Sequence, residues 1–394
     1  MPSMLCPHWI PVHAGASDAA VWATWQPPFV KVVSVDARPS YLDQIPAGAQ
    51  IILRNHPMSE GYGNRSFVNV QDAQAQAARD AAVCREMADY VLSTYGIPAG
   101  RLLFEGRNEP MVWSSEPPEL TAAYYARFLI GLHSYGLRGV ALNLGVGWPG
   151  NDGTPEAQPN WQPYKPVFAA MLQGDYIGLH EYWAANGPEE AWRWWGGRFT
   201  QCPYDAPMLI TECGVDFGVA GLGGNGWLSQ YMPGETPAQK AAKYISDLRR
   251  YEELARPDGR AVALFIFTHD GQAQDWWTFD TRHPEFTGRL LAYVDTMRAV
   301  PLPPGTAIEI PEPPIPPPAG DLAGLRNAAW NALYPAGGIA YNPQAAFGQY
   351  ARTHELGVPT TGEFDHAGWR AQGFAGAIVY AVIGQWSNVA QLAW

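Results

Sequence analysis

Glu109 and Glu212 are the residues whose type and placement point most directly to chemistry. Each stands at the end of a short apolar run: Glu109 in RLLFEGRNEPM (101–111) and Glu212 in PMLITECGV (207–215). In such a pair, one carboxyl can carry a proton and act as an acid while the other stays ionised and attacks. That division suits cleavage of an acetal, where a leaving oxygen is protonated as its carbon is attacked. A salt-bridged strand end would account for either glutamate alone, but the pair is far more specific. His180 and Tyr182, in HEYW (180–183) at the end of another run, share a parity, so both side chains can face the same mouth. Glu181 has the opposite parity and reads as structural.

Positioning these groups requires a scaffold, and residues 1–300 supply one. Eight β-like runs are expected at 3–12, 29–35, 50–56, 101–109, 139–147, 175–183, 207–215 and 260–268, the first weakened by Pro7 and Pro11. Helices are expected at 71–95, 118–135, 237–255 and 284–299, with Gly96 and Gly136 as stops. Apolar strands alternating with helices imply a parallel sheet covered on its outside. Eight such units imply a (β/α)8 TIM barrel, whose strand C-termini all open on one face, so Glu109 and Glu212 converge there. A doubly wound open sheet is the competing fold, but no G-x-G-x-x-G follows a strand. The glycine-rich 221–226 follows the seventh run, precedes no helix and reads as a loop. Residues 301–320, PLPPGTAIEIPEPPIPPPAG, form a proline-rich linker of extended, semi-rigid character. Residues 321–394 form a small C-terminal domain with helices at 326–333 and 345–356 and an apolar run at 374–384. Glu363, Asp365 and His366 are neighbours there, without metal-ligand spacing.

Composition narrows the function. The chain has 394 residues, 47% hydrophobic and 16% charged, with a net charge of −12, so it can bury a large core and repels phosphate backbones. No basic cluster with interleaved aromatics is present, and nucleic acid is not an expected partner. The 17 Trp stand out, because a flat apolar ring stacks on the C–H face of a sugar. Half of them are assigned to core packing. No cofactor and no metal are expected: H-E-x-x-H, G-x-S-x-G and Cys-x-x-Cys are all absent. The N-terminus has neither basic nor long apolar character, and no window of ~20 apolar residues occurs, so neither a signal peptide nor a membrane span is expected. Cytoplasmic, phage-associated and leader-processed extracellular locations stay open.

Phe104, Glu105, Asn108, Glu109 and Pro110 match the pattern aromatic-Glu-x-x-Asn-Glu-Pro. With LITECG around Glu212, they make residues 1–300 resemble a clan A (β/α)8-barrel retaining glycoside hydrolase. That resemblance implies Glu109 as acid/base on the fourth strand and Glu212 as nucleophile on the seventh. It implies Asn108 on the sugar 2-OH, Tyr182 holding the nucleophile, His180 orienting substrate or acid, and Glu105 supporting the core. A Trp after the eighth strand should floor the subsite beside the scissile bond; Trp276 is favoured over Trp277, with His269 or Asp270 on the same rim. An early-strand Arg should face the nucleophile, and Arg54 and Arg38 compete for that role, with His56 placed in the mouth. Trp113, Trp148, Trp183 and Trp227 follow strands four to seven and are candidate sugar platforms. Cys213 reads as a small buried residue.

These expectations describe a retaining enzyme cleaving β-linked oligo- or polysaccharide, endo-acting because Trp-, Gly- and Pro-rich loops suit an open cleft. The alternative is a phage- or particle-borne carbohydrate-binding or depolymerase protein anchored through its C-terminal domain. That domain would bind glycan, cell wall or a partner protein.

Overall fold

A computed structural model of the chain describes residues 2–11, 16–34, 37–61, 66–110, 116–149, 159–184, 186–192, 196–216, 226–229, 235–270 and 276–298, together with 325, 328–329, 342, 345–354, 356–366, 368–374, 376–383 and 389–392. It divides into two units, Met1–Pro304 and Gly305–Trp394. The expected linker at 301–320 and most of the helix at 326–333 lie outside the described residues, as do Trp113 and 221–225.

In the first unit eight strands close into a parallel barrel in sequence order, β8 returning to pair with β1. They are β1 (Leu5–Trp9), β2 (Phe29–Ser34), β3 (Gln50–Asn55), β4 (Leu102–Glu105), β5 (Arg138–Leu144), β6 (Tyr176–Trp183), β7 (Met208–Val215) and β8 (Ala261–His269). The main outer helices are α1 (Ala16–Trp25), α2 (Val70–Tyr95), α3 (Pro118–Ser134), α4 (Lys165–Ala170), α5 (Pro188–Ala191), α6 (Pro237–Ala255) and α7 (Pro284–Arg298). Two boundaries differ from the sequence reading in ways that matter. β1 forms despite Pro7, and β4 stops at Glu105, leaving Glu109 in the loop beyond it rather than on the strand. The helix boundaries follow local chemistry. Asn69 caps α2 by accepting from Asp72 N, and Gly96 ends it in the left-handed conformation at φ 66°, which costs a glycine nothing. Thr236 and Gln239 form a capping box at the start of α6.

The strands bury both faces, which is why they read as apolar runs. Outward residues such as Val30, Ile51, Leu53, Leu102 and Ile210 form one core with the helices. Inward residues Cys6, Ile52, Leu103, Val140, Leu209, Ala263 and Phe265 plug the barrel. Gly131 of α3 allows close approach to the Ala-rich α2, where an added Cβ would meet the Ala81 methyl at 2.6 Å. All four cysteines are free and buried. Among the described residues, no helix is long and apolar enough to cross a membrane.

The second unit contains an antiparallel sheet in the order β12-β11-β10-β9, with β9 Phe364–His366, β10 Trp369–Gly373, β11 Ile378–Val382 and β12 Ala390–Leu392. Helix α8 (Ala346–Thr353) supplies Phe347 and Ala351 to a small core with Leu356, Phe374, Val379 and Ala381. Asp365 pairs with Arg370 at 2.7 Å. No group of His, Cys, Asp and Glu able to hold a metal occurs among the described residues of either unit.

Candidate active site

One pleat above the apolar plug, the inward positions of the barrel become polar. Two residues on from Cys6, Phe29, Ile52 and Leu103 stand His8, Lys31, Arg54 and Glu105, so period-2 alternation aims all four inward. All four are buried. Glu212 joins them through an irregularity in β7. Leu179 pairs with Ile210, but His180 pairs with Glu212, so Thr211 is an extra residue in the ladder. Such a bulge re-aims the side chains beyond it. Here it brings Glu212 level with His180 and leaves Cys213 facing outward.

The two oxygens of Glu212 have different surroundings. Oε1 accepts from Arg54 Nη1 at 2.7 Å and lies 3.3 Å from both Lys31 Nζ and His8 Nε2. Oε2 accepts from the Tyr182 hydroxyl at 2.9 Å and lies 3.4 Å from His180 Nδ1. Burial pushes this carboxyl up, but the charges of His180, Lys31 and Arg54 and the hydrogen bond from His8 outweigh it and hold Glu212 well below the usual carboxylate range. His8 itself is pushed down to about 3 by burial and by Lys31, so its imidazole is neutral. The Thr268 hydroxyl donates to the His8 carbonyl at 3.1 Å and its oxygen lies 3.0 Å from His8 Nδ1, which fixes the ring with Nε2 towards Glu212.

Glu109 comes from a loop that is fixed at several points. The Arg107 side chain is buried, pairs with Glu116 Oε1 at 2.9 Å and lies over the Phe67 ring at 4.4 Å. Glu116 also accepts from Thr121 Oγ1 at 2.6 Å and from Phe67 N at 2.9 Å. The Tyr125 hydroxyl donates to the Arg107 carbonyl. Asn108 N donates to Ser59 O at 3.2 Å and Glu109 N to Asn143 O at 3.1 Å. Between these ties Glu109 adopts φ 43°, a left-handed backbone that a non-glycine residue takes only when its surroundings enforce it. Its carboxylate, 17% exposed, meets His180 Nδ1 at 2.9 Å. One imidazole nitrogen therefore faces both glutamates. Gly178, one pleat below His180, leaves space for the Asn143 amide, which an added Cβ would meet at 1.9 Å.

Arg54, not Arg38, faces Glu212; its Nη1 also donates to Asn108 Oδ1, while Arg38 is exposed. His56 lies just past β3, half-buried. Phe267, ending the inward series Ala263–Phe265–Phe267, stands in the mouth with its ring 6.2 Å from Tyr182 and 4.8 Å from His8. Trp276 is half-buried against it at 5.1 Å, and Trp277 is 58% exposed. His269 and Asp270 are engaged elsewhere, with Asp18 and Arg282 respectively. Two of the proposed platforms have no free face. Trp183 is 1% exposed and packs on Tyr251 at 4.9 Å, because its parity is that of Glu181, outward. Trp227 is buried against Tyr244 and Phe286. Trp148 is half-buried against the outer core. Glu181 is structural: it accepts from Gly197 N at 2.7 Å, Arg198 N at 3.1 Å and the Tyr251 hydroxyl.

The sequence reading missed His8, Lys31, Asn143 and Phe267. Lys31 did leave a signal, as a charged residue at an inward position in the otherwise apolar FVKVVS.

No family model matches this chain, and no curated protein does. Solved structures with a similar fold include a glycoside hydrolase family 5 enzyme from Prevotella bryantii B14 (13% identity, TM-score 0.44, 71% of this chain and 86% of that one). A family 5 xyloglucanase from Paenibacillus pabuli shows 14% identity and a TM-score of 0.43 over 72% of this chain and 90% of that one. The endo-β-1,4-glucanase from Xanthomonas axonopodis pv. citri shows 11% identity and a TM-score of 0.44 over 75% of this chain and 99% of that one. Overlap this loose carries neither activity nor substrate across.

Proposed function

We propose that the barrel is a retaining glycoside hydrolase of the clan A type, cleaving β-linked polysaccharide within the chain. The observation that carries this is the single imidazole of His180 facing both carboxylates, with Glu212 held as an anion. The Glu109 and Glu212 oxygens that share Nδ1 can be no further apart than its two contacts, 2.9 and 3.4 Å, laid end to end. That limit accommodates the ~5–5.5 Å spacing of retaining enzymes.

In this reading Glu109 protonates the glycosidic oxygen as Glu212 attacks the anomeric carbon. Oε1 is occupied by Arg54, Lys31 and His8, so Oε2, on the His180 side, is the attacking oxygen. The bond to the leaving sugar breaks and a covalent glycosyl–Glu212 ester forms. Glu109, now a carboxylate, takes a proton from water, which hydrolyses the ester and restores both groups. Asn108, oriented by Arg54, is assigned to the sugar 2-OH. Phe267 and Trp276 form the apolar wall of the adjoining subsite, and the exposed Trp277 extends it along an open cleft. Turnover is assigned to the barrel unit alone.

The test is a panel of β-linked polysaccharides assayed with wild type, Glu212→Gln and a chain lacking residues 305–394. Wild type and the shortened chain are expected to release mid-sized fragments with retention of configuration, and Glu212→Gln none. Activity unchanged in Glu212→Gln would remove the nucleophile and with it the reading.

A further inference from the structure

We propose that Lys31 is the positioning residue for Glu212, one ammonium that ties the attacking carboxylate to a second buried carboxylate, Glu105, beneath the site. The inference rests on the glycosidase reading for its kinetic consequence but not for its geometry. Lys31 Nζ lies 3.1 Å from Glu105 Oε2, 3.3 Å from Glu212 Oε1 and 3.2 Å from the Thr211 carbonyl. The ammonium donates to Glu212 Oε1 and to the carbonyl of the bulge residue that aims Glu212, and pairs by charge with Glu105. Glu105 is fully buried, and Lys31 is its cation; neither Glu105 oxygen has a well-aligned hydrogen bond, so the contact is an ion pair.

The charge count gives the arrangement its purpose. Among the inward residues of β1 to β4 and Glu212, the two cations Lys31 and Arg54 face the two carboxylates Glu105 and Glu212, while His8 is neutral; His180 meets Glu212 from the other side. Arg54 approaches Glu212 from the loop side, where it also holds Asn108. Lys31 approaches from the barrel interior, out of reach of a sugar in the mouth. It therefore acts through Glu212, in two ways. It holds Oε1 so that Oε2 stays turned towards His180 and Glu109, and it favours the ionised carboxylate in a buried setting. Glu105 in turn fixes the ammonium at the axis, which a lone lysine with four rotatable bonds would not maintain.

Three variants separate positioning from mere support of the fold. Lys31→Met removes the cation and leaves Glu105 unpaired. Lys31→Met/Glu105→Gln removes both charges, so the buried layer is balanced again. Lys31→Arg keeps the charge. The first readout needs no substrate: the Glu212 carboxyl carbon is followed by NMR across pH in protein labelled at glutamate, and assigned by its loss in Glu212→Gln. The second is the release of dinitrophenolate from 2,4-dinitrophenyl β-cellobioside, whose leaving group needs no proton from Glu109.

The double variant is expected to recover the melting temperature lost in Lys31→Met. Its Glu212 should still titrate at least one pH unit above wild type, and kcat should stay at least tenfold down with KM within twofold. Lys31→Arg should titrate and turn over within a few-fold of wild type if it folds. If the double variant recovers the wild-type titration and kcat together with its stability, Lys31 is only a structural ion-pair partner and the proposal is overturned. If the titration moves as stated but no glycoside is turned over by wild type, the electrostatic assignment stands and the glycosidase reading is what fails.

Discussion

Replacing Glu109 by Gly and by Ala tests both its backbone and its chemistry. Among the described residues its carboxylate contacts one side chain, His180, a contact worth about 0.5–1.5 kcal/mol net. Its φ of 43° costs a residue with a Cβ about 1–2 kcal/mol, and glycine almost nothing. The two losses in Glu109→Gly therefore nearly cancel, whereas Glu109→Ala keeps the strain and loses the contact. The Gly variant is expected to be more stable than the Ala variant by about 1 kcal/mol, or roughly 1–2 °C in Tm for a unit of this size. Both variants lack the proposed proton donor. On an unactivated β-glycan both should lose about 10²–10⁴ in kcat/KM, the usual contribution of a general acid. On a dinitrophenyl glycoside the first burst of phenolate should be nearly as fast as in wild type, followed by slow hydrolysis because no base activates water. Melting curves and stopped-flow bursts on the same preparations read both effects. An Ala variant at least as stable as the Gly variant would refute the strained loop. Equal loss on the two substrates would refute Glu109 as the acid.

Other outcomes follow from particular contacts. Tyr182→Phe removes one charge-assisted bond to Glu212 and should lower kcat about 10–100-fold, from ~1.5–3 kcal/mol, with KM nearly unchanged; steady-state kinetics would show a KM effect instead if the hydroxyl mainly bound substrate. Trp183→Ala should destabilise the fold by about 3–5 kcal/mol, as expected for a buried Trp, whereas Trp276→Ala should raise KM while leaving Tm within a few degrees; calorimetry and kinetics together would reveal any reversal. Glu181 has its carboxyl pushed up to about 7 by burial, against the hydrogen bonds from Gly197, Tyr251 and Arg198 that favour its charged form. Its folded pKa exceeds its unfolded one, so the folded state favours its protonated form. Its contribution is best below pH ~4.5 and is lost as pH rises through about 7. Glu181→Gln should flatten the fall in melting temperature across that window, and an unchanged slope would count against the assignment.

Much of the barrel could be read from the chain because its signals are local. Strand alternation needs only neighbouring residues, and Asn69, Gly96 and the Thr236–Gln239 box end their helices through contacts within a turn or so. The inward parity of His180 and Tyr182 and the outward parity of Glu181 follow from the same two-residue period. Applied to Trp183, that rule already favoured burial over a sugar platform. Glu109 and Glu212 were legible because strand ends of a parallel barrel share one face.

By itself, then, the sequence determined the eight-unit architecture, the two glutamates and the side chains whose aim follows from strand parity. Only the tertiary structure decided what touches Glu212. The extra residue at Thr211 sets its angle, and the choice of Arg54 over Arg38, the presence of His8 and Lys31 and the place of Phe267 depend on closure of β8 onto β1. The physical reason is that charge balance in a buried layer is a through-space property. Lys31 and Glu212 are 181 residues apart in the chain and 3.3 Å apart in the barrel, and no spacing in the sequence records that meeting.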